Sequence, residues 1–443
     1  MLSACHNLVW TGFACMRTVS YASEGGIVIA NGLGERSERR IAKNIGASRV
    51  VPTLLAISAF LLYGLNNTET TALPNYIMTL GGGPFIAGFQ NSAFVLLAVM
   101  LRIPLERVTA RHGGRFTLVL GALGYTLPCL PLSLCSELWV TVLWRMVQAL
   151  GLAAFQPSVA LYLTRVSPPS LLGRRLGIVR FATTASLMVG PVSLFPLVAL
   201  DGYPLFFIVL FAIGACGSAV AFLLPSESSA ASSSSVIARP TTRNRNEGHG
   251  TFAQRSMFLL IAGPFLLASG YSVIVNFGQM LSQEALEMLP DGILFTCISA
   301  GGLIGSLVAG WSADIFGVKR SATVCIAASG LGSLLMALGD SSAVLAGSAL
   351  CGAGYFGSTA TFVTAAGTSV NPAIAHSFLA RQQSGIDVGI IIGGIVSGLM
   401  LQRGLSISAV FLVTSVTAFA CIMAWSILYP SKKESSQEGT WRQ

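Results

Sequence analysis

Charge is what this chain has least of. Asp, Glu, Lys and Arg make up 10% of its 443 residues, against about 25% in soluble domains. Hydrophobic residues reach 53%. That scarcity excludes a water-solvated globule and places the chain in lipid. Histidine is also rare: four residues, at 6, 112, 249 and 376, all outside the apolar centres. No Ser–His–Asp arrangement, no nucleophile–base pair and no His/Asp/Glu metal cluster can be assembled from them. The chain therefore reads as a non-enzyme without a cofactor or metal. Nine cysteines are scattered without any Cys-x-x-Cys, and most fall inside apolar runs. They read as small packing residues and not as a disulfide framework. The net charge of +9 resides in short segments between apolar runs. It forms no basic face, so nucleic acid is not an expected partner.

What is present is a series of long apolar runs. A helix crossing the hydrocarbon core needs ~20 mostly apolar residues, and lipid offers the backbone of such a run no partner outside its own helix. Twelve runs qualify: 51–76, 84–105, 116–134, 138–164, 172–199, 204–224, 256–279, 290–310, 321–339, 342–367, 377–402 and 405–429. Lys and Arg in short loops set orientation. Arg36, Arg39, Arg40, Lys43 and Arg49 precede span 1. Arg107, Arg111 and Arg115 lie between spans 2 and 3, and Arg165, Arg174 and Arg175 between spans 4 and 5. Lys319 and Arg320 lie between spans 8 and 9, and Lys432 and Lys433 follow span 12. The opposite side carries Glu137, Asp201, Glu284, Glu287, Asp291 and Asp340, with Arg403 as its one basic residue. Both termini are thus expected in the cytoplasm, which an even span number requires.

Residues 226–255 are Ser-rich and then basic, and read as a flexible cytoplasmic linker. They divide the chain into six-helix halves at 50–225 and 256–429, flanked by a disordered cytoplasmic tail (1–49) and a C-terminal one (430–443). The expected fold is an all-α membrane protein of twelve transmembrane helices in two pseudo-symmetric halves.

Two charged stretches mark the repeat. Gly310-Trp-Ser-Ala-Asp314-Ile-Phe-Gly317-Val-Lys319-Arg320 lies between spans 8 and 9, as a tight turn. A weaker copy, Arg102-Ile-Pro104-Leu-Glu106-Arg107-Val-Thr-Ala110-Arg111-His112-Gly113-Gly114-Arg115, lies between spans 2 and 3. On these residues the chain resembles the major facilitator superfamily. The second stretch departs from the family pattern at Glu106, where a Gly is usual, and at Ala110, where an Asp is usual. In the first stretch Ile315 replaces a basic residue. The resemblance implies that Arg102, Arg111, Gly113, Arg115, Gly310, Asp314, Gly317, Lys319 and Arg320 form a conformational latch. Arg145-Met-Val-Gln148-Ala-Leu-Gly151 resembles the family's R-x-x-Q-G motif. Gly177, Ser186, Gly190 and Pro191 resemble its antiporter motif, with Ser186 for the middle Gly, and this implies export driven by proton exchange. The texture is similar to sugar-efflux-like and drug:proton antiporter-like members.

Ionisable residues inside a bilayer are costly and are functional candidates by default. Four stand out: Glu69, Arg145, Arg180 and Asp387. Glu69 and Asp387 are candidates for proton coupling. The bland alternatives are that Glu69 touches outside water where span 1 ends, and that Asp387 is a structural pair, with Arg381 a turn and a half away. Arg145 either binds an anionic solute, holds a carboxylate, or acts as a latch near the cavity wall. Asn66, Asn67, Gln90, Asn91, Arg145, Tyr271, Asn276, Tyr355 and Gln383, with Gln279 and Gln382, are candidates to line a midplane cavity, although any one polar side chain by itself is better explained by an inter-helix hydrogen bond. Such a cavity is polar but weakly charged, suited to sugars, small amphiphiles or zwitterions.

Gly352-Ala-Gly354-Tyr-Phe-Gly357 matches a dinucleotide fingerprint but follows an apolar helix and lacks the later acidic residue; close helix packing explains it better. The expected function is proton-coupled efflux of a small organic solute by a monomer in the cell membrane, with solute, protons and the lipid bilayer as partners. An importer or facilitator of a sugar or organic acid, and a non-transporting receptor or scaffold, are the alternatives.

Overall fold

The computed structural model describes residues 35–167, 169–225, 251–286, 288–369 and 372–428. The tails before residue 35 and after 428, and most of the Ser-rich linker, lie outside them. The chain divides into Met1–Ala47 and Ser48–Gln443. Of the first unit, the backbone from Glu35 is helical.

The second unit is helical throughout, with no strand among the described residues. Span 1 is Val50–Thr79. Span 2 is Pro84–His112, span 4 Leu138–Val166, span 5 Pro169–Leu194 and span 6 Pro196–Phe222. Span 3 is broken into Gly114–Thr126 and Cys129–Leu134. Span 7 is Thr251–Ala285, span 8 Ile293–Phe316, span 9 Val318–Ala337, span 10 Ser341–Ser369, span 11 Pro372–Gln402 and span 12 Ile407–Leu428. Eleven described helices are long and apolar enough to cross a membrane. Span 10 falls short only because Gly, Ala and Ser replace bulk in its sequence. Those small residues let it nest against its neighbours. A Cβ on Gly352 would overlap the Ile298 carbonyl, and one on Gly354 would overlap the backbone of Ser329. The apparent nucleotide fingerprint is thus a packing surface.

The break between spans 5 and 6 falls between the two apolar runs, as the sequence leads one to expect. Phe195 is still helical (φ -60, ψ -34) and its N–H donates to the Pro191 carbonyl at 2.9 Å, whereas the backbone leaves the helix at Asp201 (φ -144, ψ 20) and Gly202 (φ 72, ψ -167). Pro196, which has no N–H, interrupts the hydrogen-bond ladder without ending the helical path. The charged stretches are less loop than they read. Span 8 continues through Gly310 and Asp314 to Phe316, and span 2 continues to His112. Hydropathy marks where lipid ends, not where the helix ends, because a helix satisfies its own backbone in water or lipid. Each connection is one residue long. Gly113 (φ 88, ψ 163) joins spans 2 and 3, and Gly317 (φ 85, ψ 153) joins spans 8 and 9. An L side chain rarely adopts such a positive φ, so glycine fits at both elbows.

The halves meet along two seams, span 2 against span 11 and span 5 against span 8. Contact is tightest at the end remote from the glycine elbows. There, a Cβ on Gly88 would overlap the Gly394 carbonyl. Ser92 Oγ donates to the Ile391 carbonyl at 2.9 Å, and Asn75 Nδ2 donates to Gln283 Oε1 at 2.9 Å. On the other seam, Thr296 Oγ1 donates to the Met188 carbonyl at 2.7 Å, and Phe195 meets Phe295 edge to face. We call this the sealed end and the opposite one the elbow end.

Candidate functional site

Between the halves, on the elbow side of that seal, lies a cavity of about 250 Å³. A smaller chamber of about 140 Å³ adjoins it and shares Asn66, Asn67, Tyr271 and Ile390 with it. The smaller chamber has no charged wall residue: it is lined by Asn66, Asn67, Asn91, Thr70 and Thr71 among apolar neighbours. The larger one carries the charge, in Arg102, Arg180 and Asp387, together with Gln383 and the pair Tyr271 and Tyr355. The two tyrosine rings stack face to face, centroids 4.1 Å apart and 2° from parallel.

Asp387 does not pair with Arg381. It is held across the seam by Arg102, whose Nη1 lies 2.5 Å from Oδ2. Gln383 Nε2 donates to the other carboxylate oxygen at 3.3 Å. Arg381 sits within six residues in sequence, but its side chain is exposed. Arg102 comes from the first-half motif stretch, where the resemblance implied a latch. Its place in the cavity wall follows from span 2 being helical through the whole stretch, which brings it onto the seam.

Glu69 is not at an outer water boundary. It is fully buried, as is Arg145, and the two face each other at 4.0 Å. Gln148 bridges them: its Nε2 donates to Glu69 Oε2 at 2.6 Å, and its Oε1 accepts from Arg145 Nη1 at 3.0 Å. Arg145 Nη2 also donates to Thr70 Oγ1, and its guanidinium lies 3.8 Å over the Phe94 ring. The partners of the motif arginine are therefore Glu69, Gln148 and Thr70. Neither Arg145 nor Glu69 lines either chamber; Thr70 and Phe94 stand between them and the smaller one.

The remaining candidates separate clearly. Asn66, Asn67, Asn91, Tyr271, Tyr355 and Gln383 line the chambers. Gln90 and Asn276 do not: Gln90 Nε2 donates to the Ala87 carbonyl at 3.2 Å, and Asn276 Nδ2 to the Ser272 carbonyl at 2.8 Å, each within its own helix. Gln279 donates to Asp291, and Gln382 ties span 11 to span 7 through the Leu260 carbonyl. Sequence reasoning left Tyr63, Gln156 and Thr359 out of the cavity list, though all three are wall residues. Uncharged, they give no signal in a hydropathy pattern.

Of the latch residues, Arg102 reaches the other half. Arg115 Nη2 donates to the Phe222 carbonyl at 2.8 Å and so caps the end of span 6. The Lys319 carbonyl accepts from Trp425 Nε1 at 3.2 Å. Arg111, Asp314 and Arg320 are exposed, and Asp314 has no ion pair among the described residues. Gly310 has open space around it. In the antiporter-like stretch, a Cβ on Gly190 would overlap Thr68 Oγ1, so span 5 needs glycine there to reach span 1. Pro191 packs on Gly292 at the sealed end, while Gly177 faces open space. Ser186 accepts from Asn67 Nδ2 at 3.3 Å. Among the described residues no three His, Cys, Asp or Glu side chains come together as a metal would require.

Two helical halves around a midplane cavity that is sealed at one end define a membrane transporter. A family model described as Major Facilitator Superfamily matches residues 55–290 and 289–443. The chain belongs to the Major Facilitator Superfamily. Solved structures share its fold. It is similar to the nucleoside transporter NupG, with a TM-score of 0.68 at 16% identity over 86% of this chain and 100% of that one. It is similar to a POT family transporter in complex with 5-aminolevulinic acid, with a TM-score of 0.70 at 14% identity over 86% and 96%. It is also similar to a bacterial homolog of the human lysosomal transporter Spinster, in an inward-facing, unoccupied conformation, with a TM-score of 0.63 at 13% identity over 86% and 95%. No curated protein sequence matches it.

Proposed function

We propose that this transporter exports a small organic solute in exchange for protons, by rocking its halves about the midplane cavity. The observation that carries this is Asp387, a carboxylate in the cavity wall bound to Arg102 of the other half. A proton on Asp387 removes the charge that holds Arg102, so protonation and the joining of the halves are linked at one pair. The other charged and titratable groups in that chamber are Arg180, Tyr63, Tyr271 and Tyr355. Glu69 is the second coupling candidate. It is less well placed, because Phe94 and Thr70 separate it from the cavity.

The outward direction rests on the likeness of Gly177, Gly190 and Pro191 to the antiporter motif. Lys and Arg at the elbow end support cytoplasmic termini. In that orientation the sealed end faces outside and the cavity lies on the cytoplasmic side. The halves at 50–225 and 256–429 act as the two rocking bodies of a monomer in the cell membrane, joined by the cytoplasmic segment 226–255.

The test is solute flux in proteoliposomes with an imposed proton gradient. Gradient-driven accumulation that is lost in Asp387→Asn supports the proposal. Flux that persists at the same rate after the gradient is collapsed identifies a facilitator. Ligand binding without any flux identifies a receptor.

A further inference from the structure

The larger chamber has an unbalanced charge. Of its three charged wall residues, Arg102 and Asp387 neutralise each other. Arg180 has no such partner. It is exposed to the cavity, and no hydrogen bond or ion pair holds its side chain among the described residues. The chamber therefore carries one uncompensated positive charge in a wall otherwise made of amides, hydroxyls and apolar groups. Asn66 and Asn67 add uncharged amides to the same wall.

From these residues we infer that the transported solute is a small organic carboxylate, its carboxylate on Arg180 and its remaining polar groups against the amide-bearing wall of Asn66 and Asn67. The inference rests on the cavity being the transport site. A guanidinium offers a planar fork that matches a carboxylate's two oxygens. The single excess charge suits one anionic group. A dianion would need a second free cation or would have to take Arg102 from Asp387. Tyr271 and Tyr355, stacked on one another, also line this chamber. Arg145, the intramembrane arginine that draws attention first in the sequence, is committed to Glu69 and Gln148 and is off the cavity wall. The anion-binding role falls to Arg180.

The experiment uses the full chain in detergent and in proteoliposomes. The probes are matched acid and amide pairs: 4-hydroxybenzoate with 4-hydroxybenzamide, and 3-hydroxybutyrate with 3-hydroxybutyramide. Binding is read as thermal stabilisation, and transport as counterflow. At least one acid is expected to stabilise the protein while its amide does not. Arg180→Gln is expected to weaken that acid about 10- to 100-fold, with Arg180→Lys retaining part of the affinity. Arg180 is exposed, so the unliganded variants should melt within a few degrees of the parent, which separates lost binding from lost folding. Equal stabilisation by acid and amide, no stabilisation by any acid, or unchanged acid affinity in Arg180→Gln overturns the inference. Flux of a neutral sugar that ignores the Arg180 variants overturns it too, yet leaves the transporter assignment standing.

Discussion

Arg102 and Asp387 stand 285 residues apart in sequence and meet side chain to side chain across the seam, the guanidinium at 2.5 Å from the carboxylate. Asp387 is nearly buried, at 7% side-chain exposure, and Arg102 retains 20%. Removing one partner leaves the other half-desolvated and unpaired, which is more damaging than removing both. Arg102→Gln and Asp387→Asn should each lower the melting temperature. The double variant should be less impaired than the two losses added together, with a coupling of about 0.5–3 kcal/mol. Unfolding of all three variants in detergent measures this. Strict additivity would show that the pair is not coupled.

Glu69 and Arg145 call for a different experiment, because they lie in one half and behind its cavity wall. Both are buried, and Glu69 Oε1 and Arg145 Nε have no hydrogen-bond partner. Glu69→Gln leaves Arg145 as a buried cation without a counter-charge, expected to cost about 3–5 kcal/mol. Glu69→Gln combined with Arg145→Met should recover much of that. The readout is yield of folded, monodisperse protein and its unfolding midpoint. If Glu69→Gln is as stable as the parent but loses proton-driven flux, Glu69 couples protons after all.

The seal at Gly88 and Gly394 is backbone against backbone, so it is sensitive to a single methyl group. Gly88→Ala places a Cβ into the Gly394 carbonyl and should cost the closed state about 1–3 kcal/mol. The expected result is a longer distance between spin labels on Thr79 and Leu405, which flank the sealed end on opposite halves. Retention of the parental distance would show that the helices can part locally without opening.

Much of this architecture was legible because hydropathy speaks directly to lipid. All twelve runs correspond to helices, and the repeat at Gly113 and Gly317 was visible from composition. The partners were not legible. Asp387 was close to Arg381 in sequence, but its partner lies on another half, and nothing in the local periodicity encodes a pair 285 residues apart. Glu69 was legible as lying within the run 51–76, and one alternative ended the span at the polar Asn66, Asn67 and Thr68. Span 1 runs to Thr79 and turns Glu69 onto Gln148 and Arg145 of span 4, while Asn66 and Asn67 face the chambers. The motif helices also ran longer than their apolar residues, and Arg102, near the end of the run 84–105 and read as part of a latch, lies on the cavity wall.

Asp314 is exposed and has no ion pair among the described residues in this arrangement of the halves. Its family role is therefore expected in the alternate state, when the elbow ends close. Asp314→Asn should leave the melting temperature within about 0.5 kcal/mol equivalent of the parent while slowing transport. Ala110→Asp, which restores the usual residue at the other elbow, should be tolerated or should favour closure there. A stability loss in Asp314→Asn comparable to that of Arg102→Gln would show that the residue already bears on this state.

Asp340, in the turn before span 10, accepts from the Ser342 hydroxyl and the Ala343 N–H, and these hold its carboxyl below the usual range. A depressed carboxylate stabilises the fold above its unfolded value and loses that contribution as pH falls through the folded one. The gap in melting temperature between the parent and Asp340→Asn should therefore close on acidification from pH 7 to 3. A gap that widens would contradict this.

The two glycine elbows have a mechanical consequence. Each joins its helices through one residue, and their backbone angles are alike, φ 88 and ψ 163 at Gly113 and φ 85 and ψ 153 at Gly317. A linkage that short has no slack, so a tilt of span 2 or span 8 is handed at once to span 3 or span 9. The two halves are geared alike, although the side chains around the elbows have diverged to Glu106 and Ala110 in one and Asp314 in the other. The symmetry of the stroke is kept in the backbone, which leaves the side chains at the same positions free to make its two ends unequal.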